Sequence, residues 1–199
     1  MHAAYLDRMG RGDGSCPDDP RNLTDTHVNG CTGADGTFYM GVAEFIDQPG
    51  LRSLTGDALF RDPDGAELEL GAGIVLSWTD TLQELVMMGS VRDEARGGWL
   101  KAGSSFILRG QASGGVIQAS GGVGLGEEAL DLRELTVAGG CVDGGLALRG
   151  PDLRWYEVEL TCGCGPLSFE GRALGESCPD LSALTSALDV AFGPLPELP

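Results

Sequence analysis

From Gly97 to Gly171 apolar and polar side chains alternate with period two, in runs cut by glycine. Across Trp155 to Cys162 one face carries Tyr156, Val158, Leu160 and Cys162, and the other carries Trp155, Glu157, Glu159 and Thr161. Across Val116 to Leu125 the apolar face is Ile117, Ala119, Val123 and Leu125, with Gln118 and Ser120 opposite. Such alternation predicts half-buried antiparallel strands. Turns are expected at Gly97-Gly98, Gly114-Gly115, Gly126-Glu127-Glu128, Asp143-Gly144-Gly145 and Gly163-Cys164-Gly165, because glycine reaches the positive φ of tight hairpins at no steric cost. The links are too short for helical crossovers, so neighbours in sequence should pair.

The same pattern extends upstream. Thr37 to Ile46 reads as a strand with Phe38, Met40 and Val42 against Tyr39, Ala43 and Phe45, so both of its faces are expected to be covered. Gln48 to Asp57 reads as a connection, Asp62-Pro63-Asp64-Gly65 as a turn, and Ala66 to Trp78 as a strand with Leu68, Leu70, Ala72, Ile74 and Leu76 on one side. Thr81 to Arg92 fits either a capped helix or a strand, and the strand keeps the meander unbroken. Residues 3–9 suit one or two helical turns, whereas Arg11 to Gly36 is polar, broken and short of anything to bury. Asp180 to Phe192 is the clearest helix: Leu181, Leu184, Leu188 and Phe192 form an apolar stripe, and Gly193-Pro194 ends it.

These elements predict one all-β domain, a curled antiparallel meander of about eight to ten strands, barrel-like or sandwich-like, with a packed C-terminal helix. Residues 1–36 form an irregular arm, 37–173 the meander and 180–193 the helix. The inward positions Ala72, Ile74, Ile117, Ala119, Val123, Leu146, Leu148 and Val158 are medium or small. Native interiors are densely packed, so the helix stripe is expected to fill or cover the concave face and leave no lipid-sized pocket.

Composition adds constraints. The 33 glycines lack any collagen-like period and belong to turns and close backbone approaches. Thirteen basic against 30 acidic residues give a net charge of −17, which repels nucleic acid and anionic lipid and attracts cations. No run is long and apolar enough to span a bilayer, and the start of the chain shows no apolar signal region. The six cysteines, Cys16, Cys31, Cys141, Cys162, Cys164 and Cys178, are an even set on loops and strand ends, the signature of a disulfide framework made in an oxidising compartment. Cys16–Cys31 is the expected first bridge, with two more among the late four.

Candidate chemistry is thin. Cys162-Gly163-Cys164 has the spacing of a redox or thiolate metal site, yet the chain holds only two histidines, His2 and His27, and no second closely spaced pair. Structural bridges toward Cys141 and Cys178 explain the pair better. No G-x-S-x-G elbow or phosphate-binding loop is present. Asp62 and Asp64, and the acidic loop with Asp13, Asp18, Asp19 and Asp25, supply oxygens for Ca²⁺ but without an EF-hand ligand order; apart from that no cofactor is indicated. Arg11-Gly12-Asp13 matches an adhesion tripeptide and Asn22-Leu23-Thr24 a glycosylation sequon. The reading that follows is a non-catalytic exported protein, extracellular, periplasmic or on a cell surface, acting as a structural, adhesive or assembly module through protein partners or self-association. A carrier of an apolar ligand is the alternative, followed by a thiol redox or metal protein using Cys162 and Cys164.

Overall fold

The computed structural model describes residues 1–96 and 99–192. Twelve strands follow one another in chain order: β1 (Cys31–Thr32), β2 (Phe38–Gln48), β3 (Leu51–Arg61), β4 (Glu67–Trp78), β5 (Gln83–Asp93), β6 (Ser104–Ser113), β7 (Val116–Leu125), β8 (Glu128–Ala138), β9 (Cys141–Arg149), β10 (Trp155–Leu160), β11 (Gly165–Phe169) and β12 (Arg172–Ser177). The sheet is an antiparallel meander that does not close, with β1 and β12 at its edges. Among the described residues three α-helices accompany it: α1 (His2–Met9), α2 (Trp99–Ala102) and α3 (Ser182–Phe192). Two compact units can be distinguished, Met1–Val75 with Met87–Ser105, and Leu76–Val86 with the chain from Phe106 on.

In the first unit, β2 and β3 form a long hairpin paired from Phe38↔Arg61 to Gln48↔Leu51. The span from Gln48 to Asp57, expected as a connection, is therefore mostly strand. Its polar residues and Gly56 hide the alternation, and cross-strand pairing with β2 decides the conformation. Gly41 and Gly56 explain themselves at this hairpin: both have positive φ, 123° and 108°, and a Cβ on either would collide with a backbone carbonyl of the opposite strand, that of Asp57 or Val42. One face of β2 is buried through Tyr39, Ala43 and Phe45, while on the other Phe38 and Met40 are half-buried and Val42 and Ile46 exposed. Against the buried face lies α1, whose Tyr5 and Met9 are buried. The polar arm also contributes more than its composition suggests. Leu23 is buried and exchanges two backbone hydrogen bonds with Ala43, and His27 is buried in a short 3₁₀ turn.

In the second unit, Gly114 and Gly115 turn β6 into β7 with φ of 58° and 79°, the two-residue geometry whose twist suits a hairpin. The alternation read from the sequence holds on β7 and β10: Ala119, Val123, Leu125, Val158 and Leu160 are buried, while Gln118, Ser120, Glu157 and Glu159 are exposed. The turn expected at Asp143-Gly144-Gly145 lies instead at Gly139-Gly140. Gly144 sits inside β9, at a register shift against β8 between Arg133 and Thr136, where a Cβ would approach the Glu134 carbonyl oxygen to 2.7 Å. A bulge and a turn both demand such a glycine, and only the pairing partner distinguishes them. The turn expected at Gly163-Cys164-Gly165 runs through Cys162-Gly163, one residue earlier. The strand β5 is confirmed, whereas Gly97-Gly98 and the predicted helix stop at Gly193-Pro194 lie outside the described residues. Asp180 Oδ1 accepts the Ser182 N–H at 3.0 Å at the start of α3, whose Leu184, Ala187, Leu188 and Phe192 are buried together with the preceding Leu181.

All six cysteines are paired, as Cys16–Cys31, Cys141–Cys162 and Cys164–Cys178. The first closes a separation of 15 residues across the arm, and in the chain-entropy model a loop of that length contributes about 3 kcal/mol. Cys162 and Cys164 join different partners, so no C-x-C thiol pair exists and the thiol redox and metal reading is withdrawn. Complete reduction should raise the mass by six hydrogens, and native protein should show no alkylatable thiol; a reactive Cys162 or Cys164 in the native state would contradict this pairing.

Candidate functional site

The residues singled out by charge and spacing are spent on internal structure. Asp62 accepts hydrogen bonds from Arg8 and Arg11, each at 3.0 Å, so two guanidiniums already balance the carboxylate that was a calcium candidate. Among the described residues Asp64 accepts only the Ala66 N–H in its own turn. Asp13 accepts the N–H groups of Ser15, Cys16 and Ala34 and the Ser15 hydroxyl; these bonds, that of the Ser15 hydroxyl foremost, hold its carboxyl well below the usual range. Asp19 caps Arg21 and Asn22, and Asp18 lies 3.4 Å from His27 Nε2. Among the described residues no cluster of three or more His, Cys, Asp or Glu is placed to hold a metal ion.

The short motifs are absorbed in the same way. Arg11 pairs with Asp7 and Asp62 while Asp13 ties the arm together, which leaves the adhesion tripeptide committed at both ends. In the sequon, Asn22 Nδ2 donates to Asp19 and its Oδ1 accepts the Phe45 N–H. Neither histidine is arranged for hydrolysis. His27 Nδ1 accepts the Thr24 N–H at 3.1 Å, and His2 lies edge-on to Phe45, with burial pushing its imidazole down to about 4. The carboxylates of Glu157 and Glu159 lie on an exposed face, where Glu157 pairs with Arg133 at 2.8 Å.

What the sequence did not announce is a groove in the second unit. Its volume is about 840 Å³, and it is lined by the β4–β5 turn (Asp80, Thr81, Leu82, Gln83), the β6–β7 turn (Ala112 to Ile117) and two residues of α3, Asp189 and Phe192. Phe192, which lines the groove, packs against a strand glycine. A Cβ at Gly110 would come within 2.7 Å of Phe192 Cζ and 2.9 Å of the Gln118 carbonyl oxygen, so only glycine lets the ring lie against the strand there. Leu82 and Ile117 are half-buried and Val116 is exposed, giving the groove an apolar side. Gln83 opens β5 and is only 6% exposed; its Oε1 is buried with no hydrogen-bond partner among the described residues. The helix buries its stripe as expected, and this groove stands open to solvent beside its last turn.

A second depression, of about 580 Å³, is polar and lies on β5 to β8, lined by Glu84, Arg109, Gln111, Gln118, Ser120, Glu134 and Thr136. Its side chains satisfy one another in part: Gln111 donates to Gln118, and Ser120 Oγ accepts the Glu134 N–H at the β8 bulge. Periodicity marks these as outward positions but cannot show that they border one depression.

No protein-family model, curated protein or solved structure matches this chain.

Proposed function

We propose that this protein is a non-catalytic, exported binding module that seats a small, largely apolar ligand in the groove between the β4–β5 turn, the β6–β7 turn and the last turn of α3. The observation that carries the reading is the groove itself. A volume of about 840 Å³ falls within the few hundred to a thousand Å³ usual for ligand sites, which combine apolar walls with a few polar groups. Leu82, Val116, Ile117 and Phe192 form the apolar wall, and Gln83 supplies a buried polar group. Three disulfides are compatible with an oxidising, extracellular setting.

The carrier reading thereby moves ahead of the assembly reading. Edge strands are the simplest route to self-assembly, and β12 is an edge with every residue from Arg172 to Glu176 exposed. It is guarded by Arg172 and Glu176 and by a register shift against β11 between Leu167 and Ser168, devices that oppose edge-to-edge pairing.

Titration with N-phenyl-1-naphthylamine, an apolar dye that brightens on leaving water, tests the proposal. Saturable binding at one site is expected, with loss of most of the signal in Ala112→Phe, which fills the groove from a half-buried wall position. Absence of saturable binding, or identical binding in a folded Ala112→Phe variant, would remove the proposal.

A further inference from the structure

We infer that the tip of the β9–β10 hairpin, Arg149 to Trp155, is an anchor that enters the interface of a zwitterionic lipid bilayer. The inference is independent of the groove. It starts from two turns of the chain that close with one hydrogen-bond pattern. In Asp62-Pro63-Asp64-Gly65-Ala66 the Gly65 N–H donates to the Asp62 carbonyl, the Asp62 N–H to the Ala66 carbonyl and the Ala66 N–H to the Asp64 carboxylate. In Gly150-Pro151-Asp152-Leu153-Arg154 the Leu153 N–H donates to the Gly150 carbonyl, the Gly150 N–H to the Arg154 carbonyl and the Arg154 N–H to the Asp152 carboxylate. The fourth residue has positive φ in both, 90° at Gly65 and 63° at Leu153. Glycine takes that conformation freely, and a bulky residue takes it only with strain. The chain therefore holds a leucine where its own equivalent turn holds glycine. Burial does not offset the strain, because Leu153 is 72% exposed.

What surrounds Leu153 identifies the occupant. Trp155, 44% exposed, opens β10 directly opposite Arg149 of β9. Arg149 is exposed and takes part in no ion pair among the described residues. The Arg154 guanidinium lies over the Phe169 ring, 5.5 Å from its centre, while the nearby Asp152 accepts the Tyr156 hydroxyl at 2.8 Å. A convex tip of this kind cannot hold a ligand and must itself enter something larger. An apolar side chain, an indole and two guanidiniums match a bilayer interface, where tryptophan sits at headgroup level and arginine stems lie along apolar surface with their charge outward. Guanidiniums pair well with phosphate oxygens. An acidic protein pocket matched to the two arginines would meet the field of a molecule of net charge −17, and so would an anionic bilayer. A zwitterionic bilayer carries no net charge and still offers phosphates.

Titration of the full chain with vesicles of phosphatidylcholine brominated in its acyl chains tests the inference, since bromine quenches a tryptophan that reaches the apolar layer. Saturable quenching is expected, and Trp155→Phe should abolish it. Leu153→Gly should weaken partition into the vesicles about tenfold, the effect of withholding one leucine side chain from an apolar phase. The same variant should raise the denaturation midpoint, because glycine relieves the left-handed strain. A leucine placed for folding would move both readouts downward. Absence of quenching in the parent, quenching that survives Trp155→Phe, equal partition of Leu153→Gly and the parent, or a lowered midpoint in Leu153→Gly would each overturn the inference. None of these outcomes bears on dye binding in the groove.

Discussion

Truncating Tyr5 to alanine is expected to cost about 3–5 kcal/mol, the range for removing a buried aromatic side chain. Tyr5 is fully buried, edge-on to Phe60 at 5.6 Å and stacked with Phe45 at 6.2 Å, and its hydroxyl donates to the Arg21 carbonyl at 2.7 Å. The ring therefore holds three segments of the first unit together: α1, the polar arm and the β2–β3 hairpin. Tyr5→Phe keeps the packing and removes only the hydrogen bond, so about 0.5–1.5 kcal/mol is expected. Equilibrium denaturation measures both, and limited proteolysis between residues 11 and 36 should accelerate in the alanine variant. Equal stability of Tyr5→Ala and the parent would mean that α1 does not anchor the arm.

The second large effect lies in α3. Leu184 and Leu188 are each 1% exposed, and replacing either by alanine should cost about 2–5 kcal/mol, through lost transfer free energy and the cavity left behind. The neighbouring Phe192 provides a separable readout, because it reaches the groove while the two leucines do not line it. Each leucine variant should lower the denaturation midpoint. The dye should still bind to the fraction that remains folded. An unchanged midpoint in both variants would make α3 an appendage and would take the floor of the groove with it.

The groove and the charge pattern bear on each other. With a net charge of −17 the molecule is expected to attract cations generally, which raises local concentration without conferring choice. Asp80 and Gln83 lie far from Asp189 and Phe192 in sequence, and they line one groove because two hairpin turns and a helix end converge within one unit.

The sequence by itself determined the strand order and the pairing rule. Period-two alternation at Val116–Leu125 and Trp155–Leu160 marks the buried face, since each slip of one residue would expose it, and short glycine links leave only neighbour pairing. It also determined the α3 stripe through its helical spacing, and the first disulfide through the split of the cysteines into two early and four late. Three things were decided only by tertiary structure. The β3 strand forms because β2 offers a partner along its whole length, which outweighs a weak local pattern around Gly56. Gly144 serves a bulge and not a turn because of what lies opposite it on β8. The meaning of Gly110 is invisible in one dimension: a glycine within a strand marks a close approach, but that it is Phe192 approaching, from the far end of the chain, is a fact of packing alone.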